Sequence, residues 1–215
     1  KNGSLFLMSS NKNIANAVVE AKGNTRVCIW DTNGNVTLGG LAGSSGTYLM
    51  GSSKNTKGFS CTWKIGSANT DETFSGIIND WSCSGSGYTG TVNIVKQGSG
   101  DWRLKGANTY SGSTIIEGGR LIVDGTNSGK GAITVKDGTT LAGSGSVASV
   151  VTLQEGATLM AGPDSAMAKR LTVKSNVKAQ DGSIIHVAVG AEKCNSLSVT
   201  GDLTLGENVT LQLAP

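Results

Sequence analysis

Three sets of residues in this sequence could do chemistry. The first is one histidine, His186, in Ile185-His186-Val187. Imidazole suits proton transfer near neutral pH. A lone histidine rules out a multi-histidine metal site, and nothing near it announces a Ser-His-Asp arrangement. His186 alternates with aliphatic neighbours and matches Gln212 one repeat later, so we read it as an exposed or groove-facing polar residue. The second set is a series of acids, Glu117, Asp137, Glu155, Asp181 and Glu207. Facing carboxylates cleave glycosidic bonds, and stacked ones could bind calcium. The simpler role is to hydrogen-bond backbone N–H groups at a turn. Arginine and lysine do not cluster near these acids, which counts against a lyase. We expect no catalytic residue, no metal and no other cofactor. The third set is Trp81, Trp30, Trp63 and Trp102. Sugar rings stack on exposed tryptophan. Trp81, between Asp80 and Ser82 in a loop-like stretch, is the first candidate for ligand binding, whereas Trp30 and Trp63 lie in apolar runs that suit a core.

The elements that position these residues are short strands. An acid-Gly-x-x-aliphatic signature recurs, as in Asp137-Gly138-Thr139-Thr140-Leu141 and Glu155-Gly156-Ala157-Thr158-Leu159. Its second residue falls at Gly118, Gly138, Gly156, Gly182 and Asn208, spaced 20, 18, 26 and 26 residues apart. Glycine and asparagine best tolerate a left-handed backbone, so each is expected to turn a sharp corner. Between corners the apolar residues alternate, which is strand periodicity. Leu171-Thr172-Val173 and Leu197-Ser198-Val199 correspond across 26 residues. A turn of this size cannot bury its apolar face alone, but stacked turns can. The expected fold is therefore all-β, a right-handed parallel β-helix. It would be about 45 Å long if nine or ten turns stack at strand spacing.

Composition agrees. Glycine supplies 32 of 215 residues and proline 2, without a collagen period, and only 15% of residues are charged. The net charge of +3 comes from scattered lysines and arginines, so no basic patch marks a nucleic-acid binder. No run suits a membrane-spanning helix. No Cys-x-x-Cys motif is present, and Cys28 and Cys61 are expected to be small buried hydrophobes rather than bonded to each other. We expect one β-helix segment over 1–215, with looser turns and longer loops over 1–105, at 52–58, 66–73 and 79–87, and regular repeats over 106–215. The start at Lys1 and the stop at Pro215 are expected to mark a piece of a longer exported precursor.

The run Gly106-Ala107-Asn108-Thr109-Tyr110-Ser111-Gly112, continuing to Val123, resembles the autotransporter-associated β-strand repeat. Its lead-in, Lys96-Gln97-Gly98-Ser99-Gly100, is similar to the usual Lys-x-Gly-x-Gly. The resemblance implies a β-helix stem on an exported, cell-surface or extracellular bacterial protein. It does not imply an enzyme, since the stems carry varied activities. Nothing resembles the membrane barrel that ends an autotransporter, and no aromatic residue follows Tyr110. Either the barrel lies outside this segment or the parent is not a true autotransporter. Two functions stay open: a structural or adhesive stem whose partners are glycans or other modules of the precursor, and a polysaccharide-active lyase or hydrolase, or its accessory fragment.

Overall fold

A computed structural model describes residues 5–8, 13–31, 33–53, 57–83, 87–162 and 168–214. It is a parallel β-helix: every pairing between named strands is parallel, and successive coils stack along one axis. Each regular coil visits three faces. In one coil Ile133–Val135 lies on the first face, Thr140–Gly143 on the second and Ser146–Val147 on the third. The next coil repeats this with Val151–Leu153, Thr158–Ala161 and Arg170–Val173. The first two faces form one 16-stranded sheet because the long strand Asn33–Gly43 belongs to both. Its beginning pairs with Ser60–Ile65, and its last residue, Gly43, pairs with Phe74. The third face comprises a four-stranded and a five-stranded sheet.

The strand alternation read from the sequence becomes core ladders. On the first face Trp63, Ile94, Thr114, Ile133, Val151 and Val177 stack in register. On the second, Trp102, Leu121, Leu141, Leu159 and Ile185 do the same. Coil length varies: equivalent residues Asn33 and Ser60 are 27 apart, Asn69 and Ser99 are 30 apart, and Asn93 and Ser113 only 20. The bulkiest buried side chains, Trp63, Trp102, Tyr110, Phe59 and Phe74, lie at or before residue 110, while later coils are filled by Ile, Val, Leu and Ala.

Several expectations need correction. Trp63 and Trp102 are 0% and 1% exposed, and their Nε1 groups each donate 2.9 Å hydrogen bonds to carbonyls of Met50 and Leu41. Neither can stack on a sugar; both are packed inside the stem. Cys28 is not a lone thiol but is bonded to Cys83, across 55 residues of sequence, while Cys61 is a buried thiol outside any disulfide. The stretch expected as a loop at 66–73 ends earlier, because Glu72–Phe74 is a strand of the second face. Residues 54–56, 84–86, Lys1 and Pro215, which fall in the other expected loops and at the ends, lie outside the described residues. Among the described residues no helix is long and apolar enough to cross a membrane.

Candidate functional site

The corner between the first and second faces carries the acid signature. Gly138, Gly156, Gly182 and Asn208 have φ of 66°, 70°, 70° and 57°. In the coil before, the left-handed residue is Gly119 (φ 59°), not Gly118. The cause is a shorter corner. Ile116 pairs with Val135, and Arg120 with Thr140, so 117–119 spans what 136–139 spans in the next coil. Glu117 therefore sits beside Lys136, its ion-pair partner at 2.7 Å, rather than in the row of Asp137, Glu155, Asp181 and Glu207.

Of these acids, Asp181 meets the backbone. Asp181 Oδ1 accepts the N–H of Glu207 one coil later, at 2.8 Å. The same device recurs around the helix: Asn93 accepts from Ser113, Asp71 from Asp101, Asp124 from Ser144 and Asn176 from Asp202. Each side-chain oxygen satisfies an N–H of the following coil at a corner where the strand ladder is interrupted. A shallow groove of about 500 Å³ runs past Asp137, Gln154, Glu155 and Gln180. Among the described residues no three His, Cys, Asp or Glu side chains converge as a metal site would need. His186 pairs in register with Gln212 and is half-buried, with its Nδ1 buried and unpartnered.

Lys96 escaped the sequence reading. It shares the inward parity of Val92 and Ile94 and sits in the core ladder between Ile65 and Ile116, only 1% exposed. Its Nζ donates to the carbonyls of Gln97, Gly98 and Gly118, each at 2.9 Å, so all three ammonium protons are used. Burial pushes its pKa down to about 8, against a smaller upward pull from Asp101 and Asp71. The Lys-x-Gly-x-Gly pattern thus has a physical meaning. The lysine gathers the carbonyls of the corner, and Gly98 (φ 72°) lies so close to Gly66 that a Cβ would meet its carbonyl oxygen at 1.9 Å. The parity of Val92-x-Ile94-x-Lys96 was the available signal.

A further buried network belongs to this region. Asn127 Nδ2 donates to Tyr110 Oη at 3.0 Å, and that hydroxyl bonds Thr114 Oγ1 at 2.7 Å. Burial raises the Tyr110 pKa, which keeps the phenol protonated. Outside, Arg120 grips Asp101 and Arg103 grips Asp124, each pair joining adjacent coils.

The exposed aromatics lie elsewhere, on the third face. Trp81 is 57% and Trp30 48% exposed. Their backbones flank the same coil: the N–H of Gly51 donates to the Trp81 carbonyl, and Ser53 Oγ donates to the Trp30 carbonyl. Trp81 forms an isolated antiparallel bridge with Thr89. Below it Cys28, Met50 and Cys83 form a small apolar cluster separate from the main core, with Tyr48 packed against it. The structure thus brings Trp30 and Trp81 to one neighbourhood and leaves Trp63 and Trp102 inside.

With this geometry in hand, the comparisons become interpretable. Residues 94–123 match the passenger-associated transport repeat, the stretch that contains Lys96, Gly98, Tyr110, Arg103 and the Arg120–Asp101 pair. The autotransporter lipoprotein NalP from two Neisseria meningitidis serogroup B strains is 49% identical over 39 residues, covering 18% of this chain and 4% of the relative. The shared stretch is thus a small part of either protein. The described chain is a parallel β-helix that carries a passenger repeat of the autotransporter type.

Proposed function

We propose that this chain is a non-catalytic stem of an exported bacterial surface protein, and that its N-terminal half contacts glycans through Trp81 and Trp30. The observation that carries the stem reading is the unbroken register of strands from coil to coil around a passenger repeat. Such a stack spends its apolar residues inward and leaves Ser, Thr, Asn and Lys outside, a surface poor in groups that titrate near pH 7. The Cys28–Cys83 bond supports an oxidising location outside the cytoplasm. The glycan reading is favoured by two exposed tryptophans on either side of one coil, a separation of about 10 Å at strand spacing. That span suits sugar rings of an extended chain lying along the helix axis.

A glycan array on the purified segment tests this, run beside an activity screen on acidic polysaccharides. Binding that is lost in Trp81→Ala, without loss of fold, is the expected result. Depolymerisation of a uronic-acid polymer, abolished by Asp137→Ala or Asp181→Ala, would establish the polysaccharide-active alternative instead.

A further inference from the structure

We propose that Asp80 is the positioning residue of the glycan contact, the group that fixes where Trp81 presents its ring. The inference rests on the glycan-contact reading of Trp81 and Trp30. At the corners described above, a side-chain carboxylate or amide accepts one backbone N–H of the following coil. Asp80 accepts two. One carboxylate oxygen takes the N–H of Val92 at 2.9 Å and the other takes the N–H of Ser111 at 2.8 Å, 12 and 31 residues further on. The Asp80 carbonyl also accepts the N–H of Gly90 at 3.1 Å. The residue next to Trp81 is thus tied to the stem at three points, and one of them, Ser111, lies inside the passenger repeat.

Trp81 takes its place from these bonds. Its N–H donates to Asn79 Oδ1 at 3.0 Å, and its carbonyl accepts the N–H of Gly51 at 3.1 Å. Asn79 is buried, and its own N–H donates to the Leu49 carbonyl. Trp81 is bridged to Thr89, whose neighbour Gly90 is a donor to Asp80. A ring that is more than half exposed is placed chiefly by the backbone that carries it. Stacking on a sugar face needs that ring in place beforehand, because ordering a side chain on binding costs affinity. A carboxylate suits the task. Its charge-assisted bonds to N–H groups are about twice as strong as neutral ones. With both oxygens bonded to backbone, Asp80 acts through Trp81 and not on the sugar.

The test compares Asp80→Ala and Asp80→Asn with Asn176→Ala, which removes a coil-to-coil bond of the same kind, to Asp202, away from the tryptophans. Asp80→Asn keeps the volume and turns one acceptor into a donor. Each chain is made with 5-fluorotryptophan, so the four tryptophans report separately by fluorine NMR, and Trp81→Phe identifies the Trp81 resonance. Affinity is measured for the soluble form of the oligosaccharide with the strongest array signal. We expect both Asp80 variants to shift or broaden the Trp81 resonance and to weaken binding about tenfold. The resonances of Trp63 and Trp102, and the hydrogen-exchange protection of Ile94 and Val151, should stay as they are. Asn176→Ala should change neither the Trp81 resonance nor the affinity. A Trp81 resonance unmoved in both Asp80 variants overturns the proposal. So does loss of protection at Ile94 and Val151 in both, or an equal loss of affinity in Asn176→Ala, since Asp80 would then be ordinary support. A displaced Trp81 resonance with unchanged affinity overturns Asp80 as a residue of the contact. A chain that binds no glycan, with its Trp81 resonance still governed by Asp80, sinks the glycan reading and keeps the coupling of Asp80 to Trp81.

Discussion

Lys96 stacks on Ile116 in the core ladder, a cation seated in line with aliphatic side chains from Ile65, Val135 and Leu153. The arrangement holds because the chain turns its corner there and offers three carbonyls to the ammonium group. Replacing Lys96 with methionine keeps most of the volume but leaves those carbonyls without donors. We expect Lys96→Met to destabilise the stem by about 2–3 kcal/mol, measured by chemical denaturation at pH 7.

The same residue gives a pH signature. Its folded pKa of about 8 lies below that of an unfolded lysine. Between about pH 8 and pH 10.4 the unfolded chain therefore binds more protons at this site than the folded one. The cost of burying the charge is full below pH 8 and fades as pH rises through that window. The stability of the native protein relative to Lys96→Met should accordingly increase from pH 7.5 to pH 10. A difference that stays flat or shrinks would show that Lys96 is not buried as an ammonium.

Glycines of the same corner should differ sharply in tolerance. Gly138 has φ 66° and open space where a Cβ would go, so Gly138→Ala meets only the left-handed backbone cost of about 1–2 kcal/mol. Gly98→Ala adds a clash with the Gly66 carbonyl, a backbone atom that cannot rotate away. Thermal unfolding of the two variants side by side should show the second shift to be at least twice the first.

Tyr110→Phe deprives both Thr114 and Asn127 of a partner inside the core, and Asn127 Oδ1 already has none. We expect a loss of about 1–3 kcal/mol. Asn127→Val should cost less, since the next coil places Val147 in that slot. The double variant should be more stable than the sum of the two predicts, which a double-mutant cycle measures directly.

Much of the fold was legible because strand alternation and corner residues are local properties. Gly138, Gly156, Gly182 and Asn208 declared themselves through backbone preference, and Leu171 and Leu197 through their spacing; the pair is in register. What failed depended on how the coils pack on one another. Trp102 was offered as a ligand contact, and Trp63 beside its core reading, because nothing local fixes which aromatic side chains face the interior. Glu117 was misaligned because the signature was counted from Leu121, whereas the shortened corner shows only when counted from Ile116. Cys28 and Cys83 meet because 81–83 runs beside 51–52, a contact with no sequence period. Lys96 was hidden by the rule that charges point outward.

The passage from the second face to the third varies from the pair Asp124–Gly125 to the stretch 189–195, while the ladders on either side stay in register. Length there is decoupled from the scaffold. The corner behaves as a mounting rail: segments of different size can be spliced in, coil by coil, and the beam that carries them need not be redesigned.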